Sequence, residues 1–174
     1  TPIGCKSLAL GADIVIHSCT KYLNGHSDIV AGCIMGSRKL VDMVWPRLLN
    51  YGGSLDPHAA FMLERGLKTL AIRMNAHQDS AFKLASYLAS HPKTSSVRYP
   101  LLKNYPQYEL GKTMLKNASG MISFTVEGGD EAAKKLASLL KLSRQATSLG
   151  GVESLVSLPF NTSHASSTIK QREN

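Results

Sequence analysis

The sequence predicts an α/β fold, and three observations carry that reading. Short β-branched runs bounded by glycine and polar residues occur at 13–18 and 29–35. They are followed by a long stretch of helical apolar spacing from Pro57 to Ser90. Strand-like alternation then returns at Gly120–Val126.

In the first run, Asp13-Ile14-Val15-Ile16-His17-Ser18 reads as a buried strand entered from Gly11-Ala12. The second, Ile29 to Met35, reads likewise. Gly36-Ser37 closes it and opens a helix that runs through Leu49. After Gly52-Gly53, Asp56-Pro57 starts another helix, because aspartate caps free backbone N–H groups and proline suits the first helical turn. Ala59, Leu63, Leu67, Leu70, Ala71 and Met74 fall on one face, and Ala81, Leu84, Ala85 and Leu88 continue the spacing to His91-Pro92. One long helix, bent or straight, is therefore expected over 57–90. Beyond Lys93 a strand is expected at 96–99, a polar loop at 100–107, a strand at 120–126, a helix capped by Asp130 and a strand within 151–158. The residues divide into a unit over 1–92 and a smaller α/β unit over 93–174, whose polar tail from Ser163 is expected to fray.

Composition excludes several classes. Hydrophobic residues make up 43% of the 174, enough for a core. No apolar run approaches the roughly eighteen residues of a membrane span, and the first ten residues lack the pattern of a signal peptide. Cys5, Cys19 and Cys33 are odd in number and widely spaced, so neither a disulfide framework nor a metal site is expected, and a cytoplasmic setting fits. The net charge of +8, from 20 Lys+Arg against 12 Asp+Glu, raises the question of a nucleic-acid partner. Lys93, Arg98, Lys103, Lys112 and Lys116 are scattered, and no nucleic-acid-binding signature accompanies them. A solvated basic face is the simpler reading.

Chemistry concentrates at Ser18-Cys19-Thr20-Lys21, where a strand ends and ligands of α/β sheets bind. A lysine there can form an imine with an aldehyde once its ammonium loses a proton, and flanking hydroxyls suit a phosphate. On pattern alone such a lysine is more often a solvated loop residue. The longer string His17-Ser18-Cys19-Thr20-Lys21-Tyr22-Leu23-Asn24-Gly25-His26-Ser27-Asp28, however, closely resembles the lysine segment of the Cys/Met-metabolism enzymes that depend on pyridoxal 5'-phosphate (PLP). Three further stretches resemble that family in the same order: Asp56-Pro57-His58 with Arg65-Gly66-Leu67-Lys68-Thr69-Leu70, His91-Pro92 through Tyr99-Pro100, and Ser148-Leu149-Gly150-Gly151-Val152-Glu153-Ser154-Leu155. The resemblance covers Gly11 to about His164.

The resemblance implies a fold-type I, aminotransferase-like large domain ending near residue 92, followed by a smaller C-terminal domain. It makes Lys21 the attachment point for PLP and the proton carrier, Ser18 and Thr20 phosphate ligands, and Ser148 a ligand of the substrate carboxylate. A turn or cap is the plainer role for that serine. His26 and Asp28 are expected to be structural support, Cys19 a small buried filler, and Arg65 and Lys68 surface or interface ion-pair residues. The implied activity is elimination or replacement at the side chain of a sulfur amino acid, of γ-lyase type on cystathionine or methionine, with a cystathionine γ-synthase-type transferase as the alternative. The implied partners are that small substrate and further copies of the chain, as a homotetramer of two dimers with shared sites, with neither nucleic acid nor membrane. Thr147 stands where cystathionine-using members commonly have an acidic residue, which leaves methionine or homocysteine open. The family pattern also extends beyond both ends of this chain: its ring-nitrogen aspartate falls before Thr1, and its carboxylate-binding arginine after Asn174.

Overall fold

The computed structural model describes residues 1–168. Its elements mix strands and helices as an α/β chain should. After a 3-10 turn at Ser7–Leu10 come β1 (Ile14–Ser18), a π-turn (Cys19–Leu23), β2 (Gly32–Gly36), α1 (Arg38–Tyr51), α2 (Pro57–Leu67) and α3 (Leu70–Ser90). The second half holds β3 (Thr94–Arg98), α4 (Tyr108–Met114), β4 (Ser123–Val126), α5 (Gly129–Leu139), β5 (Arg144–Gln145), β6 (Leu155–Val156) and a 3-10 turn at Pro159–Asn161.

Local chemistry places the helix starts. The Ser37 side chain accepts the Leu40 N–H, and the Asp56 carboxylate accepts the N–H groups of His58 and Ala59 with Pro57 in the first turn. The expected cap at Asp130 is not the observed one. Gly128, at φ 92°, is the capping residue, and Asp130 with Glu131 lies inside the first turn, where negative charge favours the helix N-terminus.

The single helix over 57–90 is also corrected. Helical hydrogen bonding tightens after Leu67: Lys68 N–H donates to Arg65 O and Thr69 N–H to Gly66 O, three residues back. Thr69 leaves the helical region at φ −106°, ψ 3°, and its hydroxyl donates to Gly66 O at 3.2 Å. Two helices result, with Ala59, Gly66, Leu70, Arg73 and Met74 buried, while Leu67 and Ala71 of the expected face are exposed.

Among the described residues three two-stranded sheets form. β1 and β2 pair antiparallel from Ile14↔Gly36 to Ser18↔Gly32, β3 and β4 pair antiparallel with an irregularity between Thr94 and Ser96, and β5 and β6 pair parallel. Thus β2 starts three residues later than expected, because 29–31 belong to the loop. Strand structure within 151–158 shrinks to two residues. β1 is not buried on both faces: Val15 and His17 are half-buried, whereas Ile14 and Ile16 are exposed. The core lies where Ala81 and Ala85 of α3 meet Tyr99, Leu102 and Ala118. Two alanines one helical turn apart leave room for the Tyr99 ring, which is fully buried. Its hydroxyl donates to Ser119 O at 3.0 Å, and burial first, then Tyr22 and Asp79, raises its pKa to about 12. No helix among the described residues is long and apolar enough to cross a membrane. Residues 169–174 of the expected polar tail lie outside the described residues.

Candidate functional site

β1 delivers its last residue, Ser18, to the surface, with no hydrogen bond to its hydroxyl among the described residues. The chain then tightens into the π-turn, in which Asn24 N–H donates to Cys19 O at 3.0 Å. Lys21 sits inside this turn with φ −89° and ψ −133°, outside helical values. Its ammonium donates to Ser148 Oγ at 2.8 Å across 127 residues of sequence. The two residues that the sequence marked separately are therefore in direct contact.

Ser148 makes that contact from φ 91°, in the left-handed region that non-glycine residues rarely adopt. Ser27, at φ 58°, makes the parallel bridge, its hydroxyl donating to Glu153 Oε1 at 2.5 Å. That hydrogen bond leads the influences holding the Glu153 carboxyl below its ordinary pKa. Two serines in costly backbone conformations thus fasten the segment after β5 onto the lysine turn. Such outliers persist where surrounding structure over-determines them. Between the two segments lies a cavity of about 950 Å³, lined by Thr20, Asp28, Val30, Arg144, Ser148 and Glu153 among others.

Thr20 faces this cavity with its hydroxyl engaged. It accepts the Ala31 N–H at 2.9 Å and donates to Ala31 O at 3.3 Å. Ala31 O also accepts the Thr20 N–H at 3.2 Å, so turning the hydroxyl proton toward another acceptor leaves that carbonyl satisfied. Together with the exposed Ser18 hydroxyl and the Lys21 amine, this donor set fits a phosphate-bearing aldehyde.

Of the remaining residues singled out from sequence, His26 and Asp28 are supports, and Arg65 forms no ion pair among the described residues. His26 Nδ1 lies 2.7 Å from Asn24 O, and Asp28 accepts from Asn24 Nδ2 at 2.6 Å. Both brace the loop, and neither hydrogen-bonds the other. Cys19 is buried, and its thiol is pushed up to about 12 by burial, then by a hydrogen bond with Cys33. Lys68 pairs with Glu64 at 3.7 Å on the surface. Three contributors escaped sequence reasoning. Arg73 hydrogen-bonds the backbone of the π-turn. Tyr22 Oη accepts the Gly120 N–H at 3.3 Å and packs edge-on against His77, whose pKa is lowered by burial and by Arg73. Gly150 lies so close that a side-chain carbon there would strike Tyr22 N. Only Arg73 left a signal, as a charge on the apolar face of its helix.

A profile of the family described as Cys/Met metabolism PLP-dependent enzyme matches residues 1–174. The chain belongs to this family. PLP is the cofactor of the family, and an L-methionine gamma-lyase of Treponema denticola is 43% identical over 99% of this chain and 43% of its own length. Cystathionine gamma-synthase 1, chloroplastic, of Arabidopsis thaliana is 45% identical over 91% of this chain and 28% of its own. A crystal structure of cystathionine gamma synthase from Xanthomonas oryzae pv. oryzae in complex with cystathionine superposes with a TM-score of 0.94, at 37% identity, over 99% of this chain and 45% of that one. The chain thus spans less than half the length of the relatives it matches.

The strain at Ser148 yields a test. In the full-length protein, Ser148→Ala is expected to be less stable than Ser148→Gly by about 1 kcal/mol, because glycine accepts φ 91° freely. Both lose the hydrogen bond to Lys21 and about tenfold or more in kcat/KM. Urea unfolding and steady-state rates measure the two effects separately; equal stabilities refute the strain.

Proposed function

We propose that Lys21 holds PLP covalently and carries protons in the elimination or replacement of a sulfur amino-acid side chain. The single observation that carries this reading is the Lys21 Nζ–Ser148 Oγ contact at 2.8 Å beside a cavity with phosphate-suited hydroxyls. When bound, PLP supplies an aldehyde for amines and a ring that takes up the electron pair released at the substrate Cα. With its amine free, Lys21 would take the substrate's Cα proton and return protons further along the substrate side chain. Ser148 accepts an N–H from Lys21, which holds the lysine nitrogen in place. The same hydroxyl donates its own proton to a substrate carboxylate. Ser18 and the re-aimed Thr20 hydroxyl hold the phosphate.

The reading extends to the whole protein. Residues 1–92 form the later part of a fold-type I large domain and 93–174 belong to a smaller C-terminal domain, with Lys21 and Ser148 meeting between them. The reaction is γ-elimination from methionine or cystathionine. The uncharged Thr147 in the cavity wall supports an uncharged thioether side chain. The 45% identity to a cystathionine γ-synthase favours, as a second reading, transfer of the same γ-carbon to a thiol. The complete protein is a tetramer of two dimers. Exposed Ile16 and Ile34, paired across β1 and β2, support a surface covered by further chain. Three free cysteines accord with a cytoplasmic setting. Neither nucleic acid nor membrane is a partner.

Borohydride reduction of the full-length protein followed by peptide mapping tests the assignment. A pyridoxyl group on the Lys21 peptide is expected, and one on any other lysine overturns it. Methionine added to the unreduced protein then releases a thiol, a keto acid and ammonia if the reaction is a lyase's.

A further inference from the structure

Arg73 is 9% exposed and forms no ion pair among the described residues, yet every hydrogen bond it makes is to a neutral acceptor. Nη1 donates to Tyr22 O at 2.8 Å, and Nη2 to Leu23 O at 3.2 Å and Gly66 O at 2.7 Å. Nε donates to Thr69 Oγ1 at 3.0 Å. Burying a cation without a counter-charge is costly, and a fold keeps one only where its hydrogen bonds accomplish something.

What these four accomplish is specific. Tyr22 and Leu23 are the two residues immediately after Lys21, and their carbonyls are pinned by one planar fork. The other end of the fork grips Gly66 and Thr69, the junction where α2 gives way to α3. The surroundings are shaped for it: a side-chain carbon on Gly25 would collide with the guanidinium, and one on Gly66 with the Asn24 carbonyl. A lysine in place of Arg73 offers a point charge with three donors at one atom and cannot span both groups of acceptors.

We propose that Arg73 is a positioning residue for Lys21, fixing the π-turn to the α2–α3 junction so that the lysine amine is held at its working position. This rests on the reading of Lys21 as the attachment lysine. A group that only stabilises the fold would, when altered, lower the melting temperature and leave the lysine's chemistry alone. A positioning group moves the chemistry in the protein that remains folded.

The test uses the full-length, PLP-loaded protein and the variants Arg73→Lys, Arg73→Gln and Thr69→Val. Borohydride mapping of the wild type comes first: a label away from Lys21 defeats the attachment reading itself and the proposal with it. With the label on Lys21, Arg73→Lys and Arg73→Gln are expected to lose about tenfold to a hundredfold in kcat with KM changed by less than about threefold. The pH midpoint of the visible band of the lysine-bound cofactor moves in both, and upward in Arg73→Gln, where a nearby cation has been removed. Folded variants with a lower melting temperature but a wild-type kcat and band midpoint overturn the proposal. If neither Arg73 variant folds, Thr69→Val decides. It removes one of the four contacts, together with the hydroxyl's bond to Gly66 O, in nearly the same volume and is expected to lower kcat severalfold and move the midpoint measurably. A wild-type kcat and midpoint in that variant overturn the proposal.

Discussion

Lys21→Ala in the full-length protein is expected to abolish covalent attachment and to lower kcat by about 10³- to 10⁴-fold or more, because the proposed function gives one side chain the work of both tether and proton carrier. PLP should still associate through Ser18 and Thr20, without the visible band of a lysine-bound cofactor. Dialysis then removes it, whereas the wild type retains it. Stability should change little, since the Lys21–Ser148 contact is solvent-exposed and the lysine does not contribute to the core. Spectra, dialysis and rate measurements check these points together. A variant that keeps the wild-type rate excludes Lys21 as the proton carrier.

Gly150→Ala should be severely damaging. Gly150 has φ 85°, and the new carbon would strike Tyr22 N and lie 2.8 Å from the Lys21 carbonyl carbon. Both obstacles are backbone and cannot swing aside. The segment carrying Ser148 must therefore lift away from Lys21, with the left-handed penalty added. A loss of about 3 kcal/mol or more is expected, with kcat falling about a hundredfold as the lysine loses its partner. Gly52→Ala supplies the comparison. Gly52 has a similar φ of 71° but nothing within 4 Å of the added carbon. It should lose only about 1–2 kcal/mol, with kcat unchanged. If the two variants lose the same stability and Gly150→Ala keeps its activity, the close approach does not govern the site.

How much of this was legible in the sequence follows the range of each interaction. Ser37 and Asp56-Pro57 announce their helices because a cap acts over three residues. Asp130 misled because acidic residues favour both the cap and the first turn, and Gly128 was already positioned for the cap. α4 went unread, since Gly111 and Thr113 weaken the helical pattern within its seven residues. β5 is two residues long and exists through its parallel partner β6, whose residues pair with it from Arg144↔Leu155 onward. The break between α2 and α3 was hidden too, since Leu67, Leu70 and Met74 keep helical spacing straight through it.

By itself the sequence determined the α/β class, the caps at Ser37 and Asp56, the family and the position of Lys21 just after a strand. These depend on neighbours in the chain or on a string of residues read directly. Only the tertiary structure decided that Lys21 meets Ser148, that Ser27 meets Glu153, and that Arg73 holds the lysine turn from 50 residues away. The reason lies in the chemistry of the groups concerned. Arg73 chooses backbone carbonyls, and Ser148 works from a backbone conformation its side chain does not favour. A carbonyl is present at every residue and a strained φ leaves no mark on residue type, so neither partner can be read before the chain has closed on itself.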